Sequence, residues 1–287
     1  MAISLITIND DFFRQAQDDP TTDRRPLYTQ AAGIVDLTQK ILRAAEHREF
    51  DKLVPHLRLL THDNTEIVQN FFSRREDEVS NKVFELYLGL LVLAADGHDL
   101  EMDDPDASSG GRNPDVIVSF GSRRWGFAAK ILHSQNPQQY GALVESGARQ
   151  IEVADVDCGI VVVNFKNIVP HDTLWPVHRR VDGQIDEYFV YDHWQQIDVG
   201  LETFFQTHIF HGIIDDWGGR EEIARFWDQF RKALPSTLNL LPTVAATMRP
   251  EGWAPTKVNK LIHLPFRTPT QELMELLDRL NHVTQQQ

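Results

Sequence analysis

The segment NPDVIVSFGSRRWGFAAKIL, residues 113–132, sets the architecture of the chain. Two runs of β-branched and aromatic residues flank a short polar break that begins at Gly121, a pattern typical of two strands joined by a turn. Asp115 lies at the start of the first strand, and Lys130 lies near the end of the second. The segment therefore predicts a hairpin that carries an acid at one end and a base at the other.

The pairing of the two strands decides whether these charges meet. If residues 121–124 form a four-residue loop, Phe120 faces Trp125 and Asp115 lies directly opposite Lys130. Because side chains alternate along a strand, Ala128 shares the face of Lys130. We therefore expect Asp115, Ala128 and Lys130 on one face of a sheet.

A simpler interpretation of this pair is an exposed cross-strand salt bridge, which would contribute little to stability. The neighbours of Lys130 argue for an interior position instead, because Phe127, Ala129 and Ile131 are all apolar. A buried lysine without a partner or a function would be costly. Both interpretations remain open from the sequence.

The elements around the hairpin extend the pattern. A helix with Glu85 among apolar residues is predicted over 80–95, and DLEMDD, 99–104, predicts a short strand. After the hairpin, residues 136–155 predict a helix that includes Gln150, and the continuous apolar run 158–165 is typical of a strand covered on both faces. The predicted order is helix, three strands, helix and strand, which indicates an α/β fold.

Three regions follow from this order: a helical N-terminal region over residues 1–78, the core over 79–168 and a mostly helical C-terminal region over 169–287. The last of these carries two amphipathic stripes at helical spacing. Their residues are Ile223, Phe226, Trp227, Phe230 and Leu234 in one, and Leu273, Leu276, Leu277 and Leu280 in the other.

Composition excludes several classes of protein. The longest apolar run, residues 88–95, is much too short to span a bilayer, and the N-terminus has no basic leader. The single cysteine, Cys158, excludes an internal disulfide and a cysteine-based zinc site, as expected in a reducing compartment. We therefore expect a cytoplasmic location without membrane contact.

The net charge of -14 excludes a free-standing basic nucleic-acid binder. Binding to nucleic acid would need a local basic groove, bridging metal ions or a basic partner.

The hairpin and its flanking elements resemble the PD-(D/E)XK, or restriction-endonuclease-like, nucleases. Pro114 and Asp115 match the PD of the motif, and Ala129 and Lys130 match its final XK. The predicted order of elements over residues 80–165 matches the family core. The resemblance covers somewhat less than a third of the chain. It implies a restriction-endonuclease-like core with helical additions at both ends.

The resemblance also implies a site and a chemistry. Asp115 would ligate Mg²⁺ or Mn²⁺, Lys130 would position the attacking water or stabilise charge on the phosphate, Glu85 would complete the metal ligands, and Gln150 matches a glutamine found in some branches. A metal held by carboxylates and substrate phosphate can neutralise a phosphodiester and activate water.

Ala128 departs from the motif, because it stands where the family has a second acid. Three explanations are open: the acid has moved to another element, the site has lost catalysis, or position 128 is substituted in this particular chain. In the first case the ligands are Asp115 and an acid from Glu85, Asp103, Asp104 or Glu145.

Two functions from different classes follow. The first is a magnesium-dependent endonuclease acting on DNA, which resembles restriction or anti-phage defence effectors and is controlled by a partner protein or by homo-oligomer assembly. The second is a catalytically inactive subunit that keeps the fold as a binding or assembly module.

Overall fold

The computed structural model describes residues 21–60, 78–103, 105 and 113–285. Its helices are α1 (Arg25–Ala44), α2 (Val54–Leu59), α3 (Glu78–Ala94), α4 (Pro137–Val153), α5 (His171–Leu174), α6 (Trp194–Phe204), α7 (His211–Asp216), α8 (Arg220–Trp227) and α9 (Gln271–Gln285). A 3₁₀ turn, Phe50–Leu53, precedes α2, and a π-helical segment, Phe205–Phe210, joins α6 to α7.

The strands are β1 (His98–Met102), β2 (Val116–Phe120), β3 (Arg123–Ile131), β4 (Cys158–Asn164), β5 (Val177–Arg179), β6 (Ile185–Tyr188), β7 (Val190–Tyr191), β8 (Ala233–Arg249) and β9 (Gly252–Pro265). Seven of them form one mixed sheet, whereas β5 and β6 form a separate antiparallel pair. The expectation of an α/β fold is confirmed.

Residues 78–164 contain α3, three strands, α4 and β4 in the predicted order. The first four strands are adjacent in the sheet in chain order, with β1–β2 and β2–β3 antiparallel and β3–β4 parallel. A parallel neighbour needs a crossover connection, and α4 provides it. The carboxyl ends of β3 and β4 therefore lie at the same edge of the sheet.

The predicted register of the hairpin is wrong by a two-residue shift. Phe120 pairs with Arg123 and Val118 with Trp125, so only Gly121 and Ser122 form the turn. Gly121 has a φ of +60°, which suits the first position of a tight two-residue turn. Because side chains repeat every two residues, the shift leaves each side chain on the face that the sequence predicted.

The C-terminal region differs from the prediction of a mostly helical region. Its helices include the two predicted amphipathic ones, α8 and α9, but the 17-residue β8 and the 14-residue β9 form a long hairpin between them. Leu234 belongs to β8 and not to a helical stripe. The strand β8 pairs in parallel with β4, so the sheet continues across the boundary expected at residue 168.

Helices cover both faces of the sheet, and each face has its own apolar cluster. One face packs against α4, α6 and α8 through residues such as Val144, Ile197 and Trp227. The other packs against α1, α3 and α9 through residues such as Leu86 and Leu276. The strand β4 is buried along its whole length, as its continuous apolar sequence predicts.

Candidate active site

Asp115 and Lys130 meet at one edge of the sheet. Asp115 directly precedes β2, and continuation of the observed register places it opposite Ala128 instead of Lys130. Its Oδ2 accepts a hydrogen bond of 2.7 Å from the backbone N–H of Ala129, and Lys130 Nζ lies 4.0 Å from the same oxygen. The side chains of Asp115 and Lys130 are 16% and 13% exposed, so both are largely buried but open to solvent.

Gln150 comes to this pair from α4, which begins at the same edge. Asn136 caps the helix by accepting a hydrogen bond from the backbone N–H of Gln138, and Pro137 occupies the first turn. Lys130 Nζ donates a 2.6 Å hydrogen bond to Gln150 Oε1. The amide of Gln150 therefore orients the ammonium of Lys130.

Glu85, which acts electrostatically on Asp115, lies within a buried polar cluster. Lys82, one helical turn earlier in α3, donates a 2.9 Å hydrogen bond to Glu85 Oε2, and His56 Nε2 of α2 lies 3.4 Å from the same oxygen. All three residues are buried. His56 Nδ1 has no hydrogen-bond partner among the described residues.

Burial dominates the electrostatics of the pair. It raises the pKa of Asp115 to about 6, and repulsion from Glu85 acts in the same direction, against the attraction of Lys130 and the N–H of Ala129. Burial also lowers the pKa of Lys130, although Asp115 and Glu85 oppose this shift. A carboxyl group with a pKa near 6 can exchange its proton for a cation close to neutral pH.

Ala128 lies under the closest approach of α4 to the sheet. A Cβ atom built on Gly147 would lie 3.2 Å from the Cβ of Ala128 and 2.9 Å from both methyl groups of Val161. Ala128 is completely buried. The helix backbone therefore occupies the space that a larger side chain at position 128 would need.

The other acids considered for the site are Glu145, Asp103 and Asp104. Glu145, on α4, is half exposed and forms an ion pair of 2.5 Å with Arg149. Asp103 directly follows β1, whereas Asp104 lies outside the described residues. Of the residues placed by the structure, Asp115, Lys130, Gln150 and Glu85 are brought together.

Two further members of the cluster, Lys82 and His56, were missed by the sequence analysis. The spacing of Lys82 and Glu85, three residues apart, is a signal for contact on one helix face and could have identified the pair. No local pattern connects His56 with Glu85, because α2 and α3 are brought together only by packing.

The residues present fit one oxygen-bound divalent cation. Mg²⁺ is commonly held by one or two carboxylates together with water and substrate phosphate. Asp115 and Glu85 repel each other, and a cation between them would relieve that repulsion. Across residues 21–60, 78–103 and 113–285, no three His, Cys, Asp or Glu side chains converge into a metal-binding group, so protein ligands alone do not complete such a site.

No described helix is long and apolar enough to cross a membrane. No family model matches the sequence, and the comparisons with curated proteins and with solved structures gave no match.

Proposed function

We propose that the chain is a metal-dependent nuclease of the PD-(D/E)XK kind that hydrolyses DNA phosphodiester bonds. The observation that carries the proposal is the convergence of Asp115, Lys130 and Gln150 at one sheet edge. The surrounding order and strand directions over residues 78–164 are those expected for a restriction-endonuclease-like core. An isolated surface ion pair would not need a buried lysine held by a helix glutamine.

Each residue has a defined part in this hydrolysis. Asp115 and Glu85 would hold Mg²⁺ or Mn²⁺, which supplies charge neutralisation and a more acidic water when bound. Lys130 stabilises negative charge on the phosphate oxygen, and Gln150 keeps its ammonium aimed at the substrate. The backbone N–H of Ala129 fixes the orientation of the Asp115 carboxylate.

The net charge of -14 indicates that this nuclease does not attract DNA electrostatically by itself. A partner protein, or assembly of a homo-oligomer, would supply the missing basic surface and would keep cleavage under control. This arrangement suits a restriction or anti-phage defence effector in the cytoplasm.

The second candidate function is an inactive PD-(D/E)XK-like subunit that binds a partner or nucleic acid. The observation that favours it is the burial of Ala128 beneath Gly147, which leaves no second acid on β3. In this case the Asp115–Lys130 pair makes no chemical contribution.

Cleavage assays with matched variants separate the two functions. Plasmid and single-stranded DNA are incubated with the purified chain and Mg²⁺ or Mn²⁺. We expect Asp115→Asn and Lys130→Met to reduce cleavage by about a hundredfold or more, a typical loss for a group that stabilises transition-state charge. The matched controls are Asp198→Asn and Lys260→Met, because this pair is 2.7 Å apart and each side chain is 17% exposed.

Cleavage that persists equally in all four variants would overturn the assignment of the site. Absence of cleavage with either metal, with and without a co-purified partner, would favour the inactive subunit.

A further inference from the structure

A polar cleft of about 690 Å³ opens at the carboxyl ends of β3 and β4. His133 stands three residues after Lys130, and Asn167 stands three residues after the last residue of β4. Three residues of chain span at most about 11 Å, so the Cα atom of His133 lies within this distance of the Cα atom of Lys130. This is the scale of neighbouring nucleotides in a strand, and the volume is within the range of small-ligand sites.

The walls of the cleft offer hydrogen bonds but no positive charge. The polar side chains that line it are His133, Ser134, Gln135, Asn167, His171, Asp172 and Thr173. Asp172 is the charged member, and it forms an ion pair of 2.8 Å with Arg25. Among the described lining residues, no lysine or arginine is present to hold a phosphate group.

The two histidines of the cleft are held by hydrogen bonds. His171 Nε2 donates to the carbonyl of Lys166 at 2.8 Å, and the Thr243 hydroxyl lies 3.0 Å from His171 Nδ1. Burial lowers the pKa of His171 to about 4, so this ring is neutral near pH 7. Asn167 Nδ2 donates to His133 Nδ1 at 2.8 Å, which orients the amide of Asn167.

We propose that this cleft binds an unpaired nucleobase of a single-stranded nucleic acid next to the phosphate held at Lys130. The inference rests on the nuclease function proposed above and names its substrate. The oriented amide of Asn167 matches the donors and acceptors at the edge of a base, whereas both ring nitrogens of His171 already have partners within the protein. A base stacked and paired within a duplex cannot enter a cleft, so the substrate presents this base from a single strand, or after extrusion from the stack.

Binding measurements test the inference without depending on cleavage. Fluorescence anisotropy measures the affinity of the protein for a labelled single strand, for its duplex and for the same strand carrying abasic sites. Each ligand is tested as DNA and as RNA, with Ca²⁺ in place of Mg²⁺. We expect the single strand to bind about tenfold more tightly than the duplex or the abasic strand. Asn167→Ala should weaken single-strand binding by about fivefold, because one oriented hydrogen-bonding group is lost. The control is Asn281→Ala on α9, which should leave binding unchanged.

Equal affinity for the intact and abasic strands, or unchanged affinity in Asn167→Ala, would overturn the inference. The two proposals fail separately. Base-dependent binding without cleavage by any metal refutes the nuclease and leaves the cleft assignment standing. Cleavage that requires Asp115 but is unaffected by Asn167→Ala refutes the cleft assignment alone.

Discussion

Asp115 has an unusual environment for a carboxylate. Its carboxyl group is taken from water, placed near Glu85 and compensated in part by Lys130 and a backbone N–H. The result is a pKa raised from 3.8 to about 6. The folded chain therefore binds a proton at Asp115 more tightly than the unfolded chain does.

This shift predicts a pH-dependent gain in stability for Asp115→Asn. Stability associated with protonated Asp115 is fully present below pH 3.8 and is lost as the pH rises through about 6. In metal-free buffer, the variant should therefore be more stable than the parent at pH 8, by at most about 3 kcal/mol. The gain should shrink as the pH falls from 7 to 5.

Urea unfolding at several pH values measures this gain, with Asp198→Asn as the control. A gain independent of pH would contradict the assigned shift. Added Mg²⁺ should reverse the order of stability at pH 8, because only the parent keeps the Asp115 carboxylate.

Ala128 supports a second prediction at the residue scale. Because α4 approaches β3 most closely at Gly147, a glutamate at position 128 must enter filled space and bury a charge. Ala128→Glu should lower the free energy of unfolding by about 3 kcal/mol or more and should not increase cleavage. Ala128→Ser, which adds one hydroxyl group, should lower it by about 1 kcal/mol.

Thermal unfolding and the cleavage assay together check this prediction. A stable Ala128→Glu protein with increased cleavage would show that the second acid had been lost from a working site.

The sequence allowed the main members of this site to be predicted, because Asp115, Lys130, Glu85 and Gln150 all stand at fixed positions within periodic elements. It did not allow prediction of the contact between His56 and Glu85. His56 approaches Glu85 only after α2 packs against α3, and such a contact leaves no local pattern in the sequence.

At the scale of elements, substitutions in the turn between β2 and β3 test which residues form this turn. A Cβ atom at Gly121 would meet nothing within 4 Å, so the cost of a substitution there comes from the backbone alone. With a φ of +60°, Gly121→Ala should lower the free energy of unfolding by about 1 kcal/mol or more. Ser122→Ala, at the other turn position, should change it by less than about 0.5 kcal/mol.

Urea unfolding midpoints of Gly121→Ala, Ser122→Ala and the parent protein measure these two changes in stability. Equal effects at both positions would contradict a turn centred on residues 121 and 122.

The same hairpin shows why some elements were easier to predict than others. The strands of residues 116–131 are rich in β-branched and aromatic residues, but the loop length that sets their register depends on the turn conformation. The strands β8 and β9 were missed because their apolar residues are mixed with Pro235, Pro242 and Pro255, which normally interrupt strands. Pairing along 14 residue positions between the two strands outweighs this local preference.

At the scale of the molecule, the continuous sheet predicts one unfolding unit. The strand β4, within the core expected over residues 79–168, pairs with β8 from the C-terminal region. Calorimetry should therefore show a single transition whose calorimetric and van't Hoff enthalpies agree. A fragment of residues 1–168 should lack cooperative unfolding, because the edge of β4 that pairs with β8 would be exposed.

Two separate transitions would contradict this prediction. So would a fragment of residues 1–168 with a cooperative thermal transition of its own.

The two ends of the described chain also meet, because Lys40 Nζ of α1 donates a hydrogen bond to the carbonyl of Thr284 in α9, 244 positions later. During synthesis α1 leaves the ribosome long before α9 does. Contacts between residues far apart in the sequence, such as this one, form late in folding. The buried side of α1 is therefore not fully covered until α9 is present. A chain that has formed its Asp115–Lys130 hairpin but lacks α9 would leave the Lys40 ammonium without the carbonyl of Thr284.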